Sequence, residues 1–320
     1  MKDFLLDGHA KSLLPKEKDW KLVWHDEFDG TELDRRKWNF RLNFWGKRFP
    51  AFADHGVELD GHSCARLHLL RNPDGSYCSP HLQTGSLTYD IPRDTQGFWP
   101  FGKLEQPTFL HTFGYYEIRC RLPKCDGWHS AFWLQAPGVG SHPDPRVAGV
   151  ECDVMENYRL YKENLMVGGN IWGGYGKDCK GSGHFRWQHV ETPDRWHTYG
   201  VDWAPDGYAF YVDGKLLGRI VPPGSHRFPL HRSEPYPTTG DVLEGPVSHA
   251  PQFLLVSTEC HSYRSNGQAD PLLDQATLPD YFEVDHVRVF DDVSLARTAP
   301  ANTTADATAD ASADRPVFMF

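Results

Sequence analysis

The chain predicts an all-β protein, a β-sandwich of jelly-roll type built from two antiparallel sheets. Three observations carry that expectation. Almost no stretch repeats its apolar residues at helical spacing, whereas segment after segment alternates apolar and polar residues over about four to eight positions. Turns rich in Gly, Pro, Asn and Asp separate these segments, drawing on 29 glycines and 24 prolines. With 320 residues, 39% of them hydrophobic and 13% aromatic, the chain can fill one large core between two sheets.

In chain order, residues 1–19 read as an irregular, charged lead-in. Lys21 to Phe28 alternates as a first strand, closed by the Asp29-Gly30-Thr31 turn. Trp38 to Phe52 interleaves rings with Arg41, Lys47 and Arg48. Rings with interspersed polar groups suit either a binding cleft, with Arg41 and Trp45 its candidates, or a core-packing loop. Arg66 to Leu70 is a strand, Asn72 to Gly75 a turn, and Leu82 to Tyr89 the next strand. Phe98 to Phe101 sits in a Gly- and Pro-rich loop. Tyr115 to Leu122 alternates well, and Asp126 to Ser130 turns into Ala131 to Gln135, apolar enough for the middle of a sheet.

Trp196 to Trp203 and Tyr208 to Val212 form a hairpin through Ala204-Pro205-Asp206-Gly207, and Asp213-Gly214 makes the next tight turn. Residues 222–250 carry no strand signal and read as a long loop walling a cleft. Phe253 to Thr258, a loop over 261–280 and Tyr281 to Phe290 complete one domain spanning 20–291. The Ala-Thr-Asp-rich residues 292–320 cannot build a core and read as a flexible tail.

The chemistry concentrates in Gly149 to Tyr158, where Glu151, Asp153 and Glu156 fall within six residues. On a helix Glu151 and Asp153 would diverge. On a strand those two share a face and Glu156 is out of phase by one residue, which a β-bulge at Val154 or Met155 corrects. The outer glutamates are then roughly 13 Å apart along the backbone at ~3.3 Å per step. Leaning inward, their carboxyls reach the ~5 Å separation of a retaining glycosidase. Like charges this close raise one another's pKa, which allows one to be ionised beside another that keeps its proton. Glu151 is therefore read as nucleophile, Glu156 as general acid and then base, and Asp153 as the group that tunes them. A solvated edge strand or a carboxylate cluster on a cation is the plainer alternative.

This stretch, together with Trp24 to Gly30, Gly114 to Arg119, Ser130 to Leu134, Trp196 to Trp203, Phe210 to Gly214 and Val284 to Phe290, resembles glycoside hydrolase family 16 over roughly residues 20–291. The acidic strand looks like that family's bulged catalytic strand. The resemblance implies a jelly roll with a concave substrate groove, and sugar-stacking roles for Trp128 and Trp133. Many relatives have Trp-Pro where this chain has Trp128-His129, which puts His129 beside the site. A lone His is more often a hydrogen-bonded packing residue than a catalyst, so His129 is counted with the substrate contacts. In the Gly-rich run after the acidic strand, Trp172 and Tyr175 are read as platforms. Asn170 or Trp172 stands where many β-1,3-glucanases carry a His. The resemblance also implies a structural calcium ion near Glu27 and Asp285, with no cofactor needed for the chemistry.

The expected activity is retaining endo-hydrolysis of a β-1,3-glucan or mixed β-glucan. The alternatives are a β-galactan hydrolase acting on β-1,3-galactan or agar, a transglycosylase, and a non-catalytic lectin. A formal charge of −10, from 43 acids against 33 bases, disfavours nucleic acid or an anionic membrane as partner. A polysaccharide bound by a monomer is the expectation. No apolar run approaches the ~20 residues of a membrane span, and residues 1–30 hold no secretory apolar region. That leaves a cytoplasmic protein, a mature form of a secreted one, or another export route. Seven cysteines without metal-type spacing read as buried free thiols, with Cys120 and Cys125 the one pair close enough in sequence to suggest a disulfide.

Overall fold

Alternation of apolar and polar residues commits these segments to strands with one face to a core, and two stacked sheets bury those faces together. The computed structural model describes residues 1–44, 47–85, 87–88, 103–104, 106–160, 163–175, 177–189, 194–225, 241–260 and 271–294. Helix among them is confined to Pro145–Ala148 and a 3-10 turn at Pro271–Gln275.

One sheet runs Leu70–Arg71, Tyr77–Gln83, Phe253–Cys260, Trp128–Gln135, Glu151–Leu160, Glu163–Trp172 and Lys180–Trp187. The other runs Asp241–Glu244, Lys215–Val221, Gly207–Val212, His197–Ala204, Gly114–Arg121, Tyr281–Asp292, Ala65–His68 and Val57–Leu59, with Trp20–Asp26 also on Tyr281–Asp292. Late strands insert between early ones in both sheets, the crossing pattern of a jelly roll. Phe132, Leu134, Cys152, Met155, Leu254 and Val256 of the first sheet pack on Tyr116, Ile118, Val201 and Phe210 of the second. Burying each large apolar side chain stabilises the sandwich by about 1.5–3 kcal/mol.

Several sequence expectations need correction. The lead-in is not irregular: Lys2–Phe4 pairs with Ser12–Leu14, and Phe4 and Leu14 cover Tyr115 and Phe290 on the outer face of the second sheet. Strands three residues long are too short to show alternation. The strand expected from Leu82 lies earlier, at Tyr77–Gln83, and the central strand begins at Trp128. Asp241–Glu244, inside the expected long loop, adds a parallel edge strand beside Lys215–Val221. The last strand runs on to Asp292, while residues 226–240, 261–270 and 295–320 lie outside the described residues. The hairpin expected through Ala204 to Gly207 forms, with Ala204 paired to Gly207 and Pro205-Asp206 at its tip, and Asp213 (φ 48°) with Gly214 (φ 74°) makes the tight turn. All seven cysteines are free, five of them buried.

The calcium expectation meets a different chemistry. Both carboxylate oxygens of Glu27 accept from Arg288, Nε at 2.8 Å and Nη2 at 2.7 Å, and Asp285 is ion-paired with Arg119. Burial pushes the Glu27 carboxyl up, but the bond and charge of Arg288 outweigh it and hold the group low. A calcium ion needs several oxygens converging on it; these side chains face guanidinium groups instead and do not fit as ligands. Dialysis against a chelator is expected to leave the Tm unchanged, and a fall reversed by calcium would contradict this. Arg288→Met should cost about 3–5 kcal/mol in a denaturant titration, because Glu27 is left charged and buried without its partner.

Candidate active site

The strand Trp128–Gln135 organises the site. It pairs on one side with Phe253–Cys260 and on the other with Glu151–Leu160, so residues directly opposite share a face. Gln135 stands between Glu151 and Phe253, Trp133 between Asp153 and Leu255, Ala131 between Glu156 and Ser257, and His129 between Tyr158 and Glu259. These four rows form the cleft face.

The pairing slips by one residue between Phe132 opposite Met155 and Trp133 opposite Asp153, so Val154 is the extra residue of a bulge. Val154 and Met155, consecutive in sequence, both join the apolar core. That double inward step returns Glu156 to the face of Glu151 and Asp153, as the spacing predicted.

Each outer glutamate is held differently. Tyr175 donates its hydroxyl to Glu151 and accepts from Gln135 Nε2 at 2.7 Å. Arg41 donates to Gln135 Oε1 at 3.3 Å and lies 5.0 Å over the Trp133 ring. Arg41, Gln135, Tyr175 and Glu151 thus form one chain of hydrogen bonds leading to the carboxylate. At the other end, Glu156 Oε1 lies 2.8 Å from His129 Nε2 and accepts from Tyr158 Oη at 3.0 Å. Burial pushes Glu156 up, yet the His129 hydrogen bond and charge, with help from Tyr158, outweigh it and hold the carboxyl below its ordinary value. Mutual repulsion was expected to raise Glu156. In the free site the imidazole beside it reverses that sign.

The structure sorts the expected substrate contacts. Trp133, Arg41, Tyr175 and His129 reach the cleft face; Trp133 is half-buried and donates to Ser257 Oγ at 3.0 Å. Trp128 does not: five positions from Trp133 on one strand, it points to the other face and is fully buried among Leu69, Tyr77, Cys260 and Leu273. Asn170 is also misplaced, standing opposite the core residue Cys152 and wholly buried. Trp172 packs against the main core at its margin. Trp45 lies outside the described residues. Gly169 answers to strand packing, since a Cβ there would sit 2.6 Å from the Gly183 carbonyl oxygen, and Gly173 (φ 78°) and Gly174 (φ 80°) answer to a turn.

Sequence reasoning missed Gln135, Tyr158 and Glu259, and also His184 and Arg186, which lie across Gly169 and Val167 from Asp153 and Glu156. The alternation Gly183-His184-Phe185-Arg186, with Phe185 in the core, was the available signal for the last two.

A jelly roll carrying three carboxylates on one bulged strand, flanked by a ring and hydrogen-bond donors, defines a carbohydrate-cleaving enzyme. The comparisons agree: the sequence pattern of glycosyl hydrolases family 16 matches residues 87–236. Over that stretch, a little under half of the chain, the protein is similar to this family and laminarinase-like. It is 24% identical over 283 residues to glucan endo-1,3-beta-glucosidase A1 of Niallia circulans, covering 85% of this chain and 38% of that protein. It is 25% identical over 293 residues to a beta-glucanase of Rhodothermus marinus, covering 86% of each. The laminarinase catalytic domain of Thermotoga maritima superimposes with a TM-score of 0.58 at 20% identity, covering 86% of this chain and 100% of that one, and so shares the fold.

Proposed function

We propose that the protein is a retaining endo-β-glucanase acting on β-1,3- or mixed-linkage β-glucan. Glu151 attacks the anomeric carbon, Glu156 protonates the departing oxygen and then activates water, and Asp153 stands between them. The one-residue bulge at Val154 carries this reading, because it places all three carboxylates on one face. The likeness to β-1,3-glucanases and β-glucanases supports the choice of sugar.

A reducing-sugar screen over laminarin, mixed-linkage β-glucan, agarose, β-1,3-galactan and carrageenan tests the proposal. Laminarin or the mixed glucan should be cleaved, with viscosity falling early, and Glu151→Gln should reduce turnover by roughly 10⁴-fold or more. Cleavage of a galactan alone, or activity that survives Glu151→Gln, would overturn it.

A further inference from the structure

Glu156 needs a proton when the glycosidic bond breaks, and the free site does not keep one there. The nearest proton store is His129. Its Nε2 lies 2.8 Å from Glu156 Oε1 and its Nδ1 3.0 Å from Glu259 Oε1, while its ring stacks on Tyr158 with centroids 4.3 Å apart. A neutral imidazole has one N–H and would turn a lone pair against one of these carboxylates; an imidazolium donates to both. Burial pushes His129 down, but the hydrogen bonds and charges of Glu156 and Glu259 outweigh it and lift the ring to about 9. Three titratable groups face the Glu156–His129 pair among the described residues: Tyr158 from the acidic strand, Glu259 from Phe253–Cys260, and His184, whose charge also lowers Glu156, from Lys180–Trp187. Arg186 of that last strand stands in the Glu156 row, across Val167.

We infer that the acid of this enzyme is a His129–Glu156 pair sharing one proton, in which His129 stores the proton and Glu259 holds the imidazolium in place. The inference rests on Glu156 being the acid and base of the proposed mechanism. In the first step the proton leaves Nε2 and joins Glu156 Oε1. A half-turn about the soft terminal torsion then presents that O–H to the glycosidic oxygen. The C1–O bonding pair stays with the departing oxygen, which takes the proton and becomes a hydroxyl, while a Glu151 lone pair forms the new bond to C1. His129 is left neutral, with Nδ1–H still given to Glu259. In the second step water adds to C1, the bond to Glu151 breaks, and the proton lost by water passes through Glu156 back to Nε2. His129 is a positioning residue here, since it acts through Glu156.

A lone glutamic acid tuned for catalysis would lose its proton near pH 6–7, about. The pair keeps one proton until His129 loses it, so kcat/KM on laminarin should hold up to about pH 9. His129→Gln keeps the size and a donor but cannot store a proton; its alkaline limb should fall by about two pH units. The first step on a dinitrophenyl β-glycoside, whose leaving group needs no proton, should be slowed far less by this variant than cleavage of laminarin is. Glu259→Gln should move the limb the same way by a smaller amount, and it reports even where His129→Gln fails to fold. Titration of the His129 ring by NMR is independent of turnover: it should titrate far above an ordinary histidine, and lower in Glu156→Gln. An unmoved alkaline limb in both variants, or a His129 ring titrating near its ordinary value, would overturn the inference. Failure of the parent on every polymer, with His129 titrating high, would instead count against the glucanase reading alone.

Discussion

Glu156→Gln is expected to lower kcat on laminarin by about 10²–10⁴-fold, the range in which a positioned acid contributes. The substitution keeps the volume and the hydrogen bonds at Oε1, where His129 and Tyr158 converge, but removes the proton that the departing sugar hydroxyl requires. Glycosides with a dinitrophenyl leaving group separate the two steps. Their departure needs no proton, so the glycosyl-enzyme still forms, and breakdown then becomes limiting because no base activates water. A small anion such as azide needs no base and should restore turnover, giving a glycosyl azide of retained configuration. Azide rescue of Glu151→Gln with the same stereochemistry would contradict the assignment of the two glutamates.

The second large effect separates two tryptophans that the sequence had grouped together. Trp128→Ala should destabilise the protein by about 3–5 kcal/mol, since it empties a fully buried site between Tyr77 and Leu273. At this size that is a fall in Tm on the order of 10 °C. The KM of the protein that remains folded should be unchanged. Trp133→Ala should behave in the opposite way. The ring is half-buried on the cleft face beside Asp153, so its loss removes a surface for sugar and should raise KM on the order of tenfold, or ~1.4 kcal/mol. Calorimetry and initial rates on the two variants check this directly, and an exchange of the two phenotypes would mean that the sheet faces are wrongly assigned.

That pair shows what was legible before the structure and what was not. The acidic strand could be read from its own ten residues, because strand alternation is local and a three-residue gap between Asp153 and Glu156 demands a bulge. The same parity rule excludes Trp128 and Trp133 from one face, five positions being an odd step; there the resemblance to relatives outweighed the arithmetic. Asn170 and Trp172 share a face by parity, but which face depends on the register against Cys152, and register is set across strands. Glu259 was invisible for a stronger reason. It meets His129 across 130 residues of chain, and nothing near either one signals the other. Likewise, Arg288 occupies the oxygens of Glu27 from 261 residues away, where sequence likeness alone suggested a cation.

Covalent trapping tests the account most directly. A 2-deoxy-2-fluoro β-glucosyl donor with a good leaving group slows both steps but slows breakdown enough for the glycosyl-enzyme to accumulate. The account predicts a mass increase of one glycosyl unit per chain, mapping to Glu151 on the peptide that carries Glu151, Asp153 and Glu156. Label on Glu156, or no label together with a product of inverted anomeric configuration, would contradict it.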